Sequence, residues 1–162
     1  IFKDRMYLGT ENTESQAAIW RTEEGTCWEK VLDFQEVGEG FNFYIWRMVP
    51  FRDKLYVGTM NMGTEEYQEG TGGQIWISDS GDEGSFYNLV DGGFDGETTI
   101  IMNREKPKNM GVRSFAVFED HILAGTATPL SFIVFRSGRR RGFTICGKNI
   151  GCEIWKMINS DE

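Results

Sequence analysis

Three sets of side chains in this sequence have types and spacings suited to chemistry. The run Asp91-Gly-Gly-Phe-Asp95-Gly-Glu97 sets three carboxylates among flexible glycines, an oxygen-rich donor set of the kind that hard cations such as calcium take. Asp79, Asp82 and Glu83 form a second acidic group. Neither follows the EF-hand spacing, and ordinary turns use the same residues. The second set is cationic. Arg136, Arg139, Arg140 and Arg141 lie among Phe132, Phe135 and Phe143, with Lys148 beyond. Guanidinium forks grip a carboxylate, a sulfate or an acidic partner; the competing reading is a solvated charge run that pairs with an otherwise acidic chain. The third set is aromatic and polar. Trp46, and Tyr67 in the acidic loop Glu65-Glu-Tyr-Gln-Glu69, are aromatic contacts for a ligand such as a sugar. Asn12 and Asn61 follow two Gly-Thr pairs at corresponding places, where they either cap loops or meet polar groups of a ligand. His121 is the only histidine, so a histidine-based zinc site or a Ser-His-Asp triad is close to excluded.

These residues need elements to hold them, and composition narrows the choice. The chain has 162 residues, 40% hydrophobic and 14% aromatic, with 20 glycines and 3 prolines. Its length suits one domain, and glycine with aromatics favours short strands and tight turns over long helices. No apolar run reaches the ~18–20 residues of a membrane span. Residues 1–103 carry 7 basic against 19 acidic side chains, and residues 104–162 carry 10 against 6. An acidic body with a pI near 4.8 argues against nucleic acid as a partner, because phosphate contacts need a basic surface. The three cysteines, Cys27, Cys146 and Cys152, lack metal-ligand spacing. Buried thiols are the simplest reading; a Cys146–Cys152 bridge in an oxidising compartment is the alternative.

Internal similarity decides the architecture. Phe2-Lys-Asp-Arg-Met-Tyr-Leu-Gly-Thr10, Phe51-Arg-Asp-Lys-Leu-Tyr-Val-Gly-Thr59 and Phe118-Glu-Asp-His-Ile-Leu-Ala-Gly-Thr126 share one pattern, with starts 49 and 67 residues apart. Each is followed by an Ile-Trp pair: Ile19-Trp20, Ile75-Trp76 and Ile154-Trp155. The pattern predicts a four-stranded antiparallel sheet, used about three times across 1–162. A strand ends at the shared Phe, an Asp-containing turn follows, a second strand ends in Gly-Thr, a third carries Ile-Trp, and a hairpin leads to a fourth. Trp20, Trp76 and Trp155 recur in register and are expected in the core between sheets.

These residues resemble blades of β-propeller proteins of the kelch and Asp-box kind, with Leu55–Thr59 and Gln74–Gly81 as the closest copy. The box itself is shortened around Thr22–Trp28 and padded around Ser78–Phe86. The resemblance implies an all-β propeller, here about three blades starting near residues 2, 51 and 118. Propellers have about four to eight blades, so a piece of a longer chain, or self-association that completes the ring, is expected. The resemblance is to secreted proteins, which implies an extracellular or cell-surface location. It fixes no single activity.

In such a blade the loops between second and third strands share a face with the links between blades. The Gly-to-Trp distance grows from 11 to 18 to 30 residues over the three copies, so variation gathers on that face, where scaffolds carry function. Trp46 and Arg113 hold matching places early on two first strands, beside this face. The expected function is a non-catalytic binding module for carbohydrate or protein. The alternative is a fragment of a sialidase-like or other glycoside-acting enzyme, for which Glu97, Tyr44, Arg47 and Arg113 are the only assembly available.

Overall fold

The computed structural model describes residues 1–37, 40–61, 70–101, 104–128 and 152–157. It is all-β, and its main sheet curls into a half-barrel. The strands are β1 (Met6–Gly9), β2 (Ala18–Thr22), β3 (Glu29–Asp33), β4 (Tyr44–Phe51), β5 (Lys54–Met60), β6 (Ile75–Ser78), β7 (Phe86–Val90), β8 (Thr98–Ile101), β9 (Arg104–Pro107), β10 (Gly111–Phe118), β11 (His121–Ala127) and β12 (Ile154–Lys156). One helical turn, α1 (Phe34–Val37), follows β3. The Gly-Thr segments thus lie in or at the end of β1, β5 and β11, and the Ile-Trp pairs lie in β2, β6 and β12. Among the described residues no helix is long and apolar enough to cross a membrane.

Three groups of antiparallel strands follow one another. β1-β2-β3 form one sheet. β4-β5-β6-β7 form a four-stranded meander, and β10-β11-β12 join it through the single pair Gly111↔Met60, which makes the seven-stranded sheet. β8 and β9 make a separate hairpin inside the stretch that the sequence suggested was an irregular link. The turns before β1 and β5 are tight: Lys3 and Asp4 have φ of 48° and 60°, and Arg52 and Asp53 of 46° and 59°. Two successive left-handed residues give the hairpin turn whose twist matches its strands, and Asp tolerates that region better than most side chains.

The groups meet through contacts that are the same at both junctions. Between the first and second, Asn12 N–H donates to Phe43 C=O at 2.7 Å and Ala17 N–H to Asn42 C=O at 2.8 Å. Between the second and third, Asn61 N–H donates to Met110 C=O and Gly73 N–H to Asn109 C=O, both at 2.8 Å. Glycine is required at these junctions by close approach. A Cβ on Gly9 would stand 2.5 Å from Ile45 Cγ2, and one on Gly58 would stand 2.8 Å from Val112 Cβ. Aromatic packing follows the same rule. Phe34, fully buried, meets Trp76 edge-on with centroids 5.3 Å apart, and Phe94 stacks on Trp155 at 5.1 Å. Trp76 and Trp155 therefore pack against the preceding group, while Trp20 is half-buried.

The expectation of buried thiols fails for two cysteines. Cys27 and Cys152 are exposed. Cys27 lies in the bend between β2 and β3, which projects into solvent, and Cys146 lies outside the described residues.

Candidate functional site

Two matching irregularities build the site. In the β4–β5 ladder Ile45 pairs with Thr59 and Arg47 with Gly58, so Trp46 is passed over. In the β10–β11 ladder Val112 pairs with Thr126 and Ser114 with Gly125, so Arg113 is passed over. Each bulge adds one residue to its strand and re-aims that residue's side chain. β4 and β10 are neighbours, and the two re-aimed side chains meet: the Arg113 guanidinium carbon lies 5.6 Å from the centre of the Trp46 ring. Such a pair stabilises by about 0.5–1 kcal/mol at an exposed site. Tyr44 packs edge-on against Trp46 at 5.9 Å. Gly111 supports the indole from below, since a Cβ there would lie 2.5 Å from Trp46 Cζ3. Phe41, Phe43, Met60, Met110 and Ala127 form the apolar floor. Trp46 is half-buried and Arg113 is exposed, and among the described residues no carboxylate pairs with Arg113. The arrangement offers an aromatic face beside an available guanidinium. It can stack a flat apolar surface and meet an anion in one step.

The variable loops start at this end of the sheet. Loop 62–69 leaves from Asn61, just after Met60, which pairs with both Tyr44 and Gly111. Loop 129–151 leaves from Thr128, just after Ala127, which pairs with Gly111. Tyr67, Arg136 and Arg139 fall within these loops and lie outside the described residues. Asn12 and Asn61 are loop caps. Asn12 Oδ1 accepts the N–H groups of Glu14 and Ser15, and its amide donates to Ser15 Oγ at 2.6 Å. Asn61 is fully buried, accepts Thr71 N–H and donates to Thr71 Oγ1.

A buried polar network stands behind the site, and the motifs did not reveal it. Thr59 Oγ1 donates to Asn42 Oδ1 at 2.7 Å and accepts Gln74 N–H at 3.2 Å. Asn42 Nδ2 and Trp76 Nε1 both donate to Gln74 Oε1, and Gln74 Nε2 donates to Asp91. The third group copies this with Thr126, Asn109, Glu153 and Trp155. The usable signal was an asparagine 17 residues before the threonine in both cases, together with Gln or Glu two residues before Trp. Fully satisfied networks of this kind rigidify what they hold.

The acidic residues have their own partners. Asp91 serves Gln74, Asp95 Oδ1 accepts Glu97 N–H, and Glu97 pairs with Lys108 Nζ at 2.6 Å. Asp95, Glu97 and Glu153 bring carboxylate oxygens within 4.8 Å of one another, and Lys108 Nζ is bound by both Glu97 and Glu153. The Lys108 ammonium, with the Asn109 amide, holds Glu153 below the usual carboxylate range. Glu153 and then Glu97 raise Lys108 in turn. Asp82 binds the Arg21 guanidinium at 2.5 Å, and Asp79 pairs with Lys54. Set against known protein-family models, curated proteins and solved structures, the chain matches none.

Proposed function

We propose that the chain is a β-propeller-type scaffold that works as a non-catalytic binding module, recognising carbohydrate ahead of a protein surface at the end of the sheet where Trp46 and Arg113 meet. The observation that carries this reading is the pair of matching bulges, which turn an indole and a guanidinium to one exposed place. A scaffold with identical junctions and loops of changing length at one end supports it. The chemistry fits a sugar with a carboxylate or sulfate: the ring stacks on Trp46 and the anion meets Arg113. The glycosidase alternative needs Glu97 beside Tyr44, Arg47 and Arg113, whereas Glu97 is engaged with Lys108.

A glycan array combined with a hydrolysis screen on the same compounds tests this. Retained binding of acidic glycans without cleavage is expected. Arg113→Gln, at an exposed side chain, should weaken binding about tenfold, the equivalent of ~1.4 kcal/mol, and Trp46→Phe should weaken it less. Cleavage, or binding that neither variant changes, overturns the reading.

A further inference from the structure

β1 is paired on one side only. Thr10 N–H donates to Ala18 C=O at 3.1 Å, which sets the alternation: Leu8 and Thr10 direct their backbone groups to β2, and Tyr7 and Gly9 direct theirs away from it. On that outer side the next backbone N–H, that of Arg5, bonds to Phe2 C=O at 3.1 Å. This Phe2↔Arg5 bridge is the same turn-end pair as Phe51↔Lys54 and Phe118↔His121. In the latter two cases the ladder continues, β4 along β5 and β10 along β11. Beside β1 it stops among the described residues. A cavity of about 270 Å³ lies there, lined by Phe2, Tyr7, Gly9, Ile45, Trp46 and Met48 among others. Met6 and Leu8 are each 47% exposed.

We propose that this groove accepts one extended peptide strand, running antiparallel to β1 and continuing the Phe2–Arg5 pairing, with the chemistry of β4. The register specifies that chemistry. Thr59 and Gly58 face Ile45 and Arg47, and Thr10 and Gly9 hold the same places on β1. The occupant therefore carries a β-branched apolar residue opposite Thr10 and a bulged residue before the one opposite Gly9. Its backbone N–H and C=O groups satisfy those of Tyr7 and Gly9, and its side chains fill the cavity against Ile45 and Met48. Edge strands bind peptides in this way, with backbone bonds supplying affinity and side-chain pockets supplying selectivity.

The probe is a synthetic peptide with the sequence of residues 42–49, Asn-Phe-Tyr-Ile-Trp-Arg-Met-Val, added to the 162-residue chain and followed by amide hydrogen exchange. Saturable one-to-one binding is expected. At a peptide concentration of about 100 times Kd, exchange at Tyr7 and Gly9 slows about 100-fold. A control peptide with proline in place of Arg47 and Val49 lacks the two N–H groups that face the acceptor strand, and should leave exchange unchanged. No slowing with the probe, or equal slowing with the control, overturns the proposal. Slowing that rises with protein concentration in the absence of peptide assigns the groove to a second copy and overturns it as well.

Discussion

Thr59→Val is the most informative single change to the buried network. Valine matches threonine in shape, and Thr59 is fully buried, so the packing is kept while the hydroxyl is lost. That hydroxyl donates to Asn42 Oδ1 and accepts Gln74 N–H. Removing a buried partner costs about 1–3 kcal/mol for each group deprived, which puts the loss at roughly 2–6 kcal/mol against a total stability of about 5–15. Thr10 supplies the internal control. Its hydroxyl accepts Ala18 N–H at 2.9 Å, Ala18 stands where Gln74 does, and the site is only half-buried. Thr10→Val deprives one main backbone donor that water can reach, so about 1 kcal/mol is expected. Urea unfolding followed by tryptophan fluorescence measures both, and unchanged m-values keep the comparison clean. Equal losses for the two variants, or a near-neutral Thr59→Val, would refute the claim that the asparagine–threonine–glutamine network holds the second group together.

Other perturbations test the junctions and the charges. Gly58→Ala forces a methyl to within 2.9 Å of Val112 side-chain and backbone atoms and should cost about 1–3 kcal/mol by overpacking, read as a lowered urea midpoint. Phe34→Ala empties a fully buried site against Trp76, with about 3–5 kcal/mol lost and altered Trp76 emission. Glu153 has a depressed folded-state pKa, so its contribution is complete above the unfolded carboxylate value of about 4.3 and is lost as pH falls through the lower folded value. Glu153→Gln, which installs the residue found at position 74, should flatten the melting temperature's dependence on pH across that acid range; an unchanged profile would remove Glu153 from the account.

The strands were legible because the Gly-Thr and Ile-Trp copies carry their own punctuation, such as the Asp turn at Arg52-Asp53. The β8–β9 hairpin was legible in principle, since Thr98-Thr-Ile-Ile101 is a β-branched run, but the glycines before it drew attention to turn and metal chemistry instead. The matching places of Trp46 and Arg113 could be read from alignment of the copies. Their contact could not, because sequence does not say that neighbouring groups bring matching places together. The network escaped for a similar reason: Asn42 and Asn109 lie outside any strand pattern, and only the fold sets them against a threonine 17 residues on.

The sameness of the two junctions has an energetic corollary. Cooperativity here passes between nearest neighbours, as in a linear chain of coupled segments. The middle group, β4–β7, is clamped from both flanks, while each outer group is clamped from one. Thermal opening should start at the ends and reach Val57 and Ile75 last, and damage to one junction should fade within a single step along the chain.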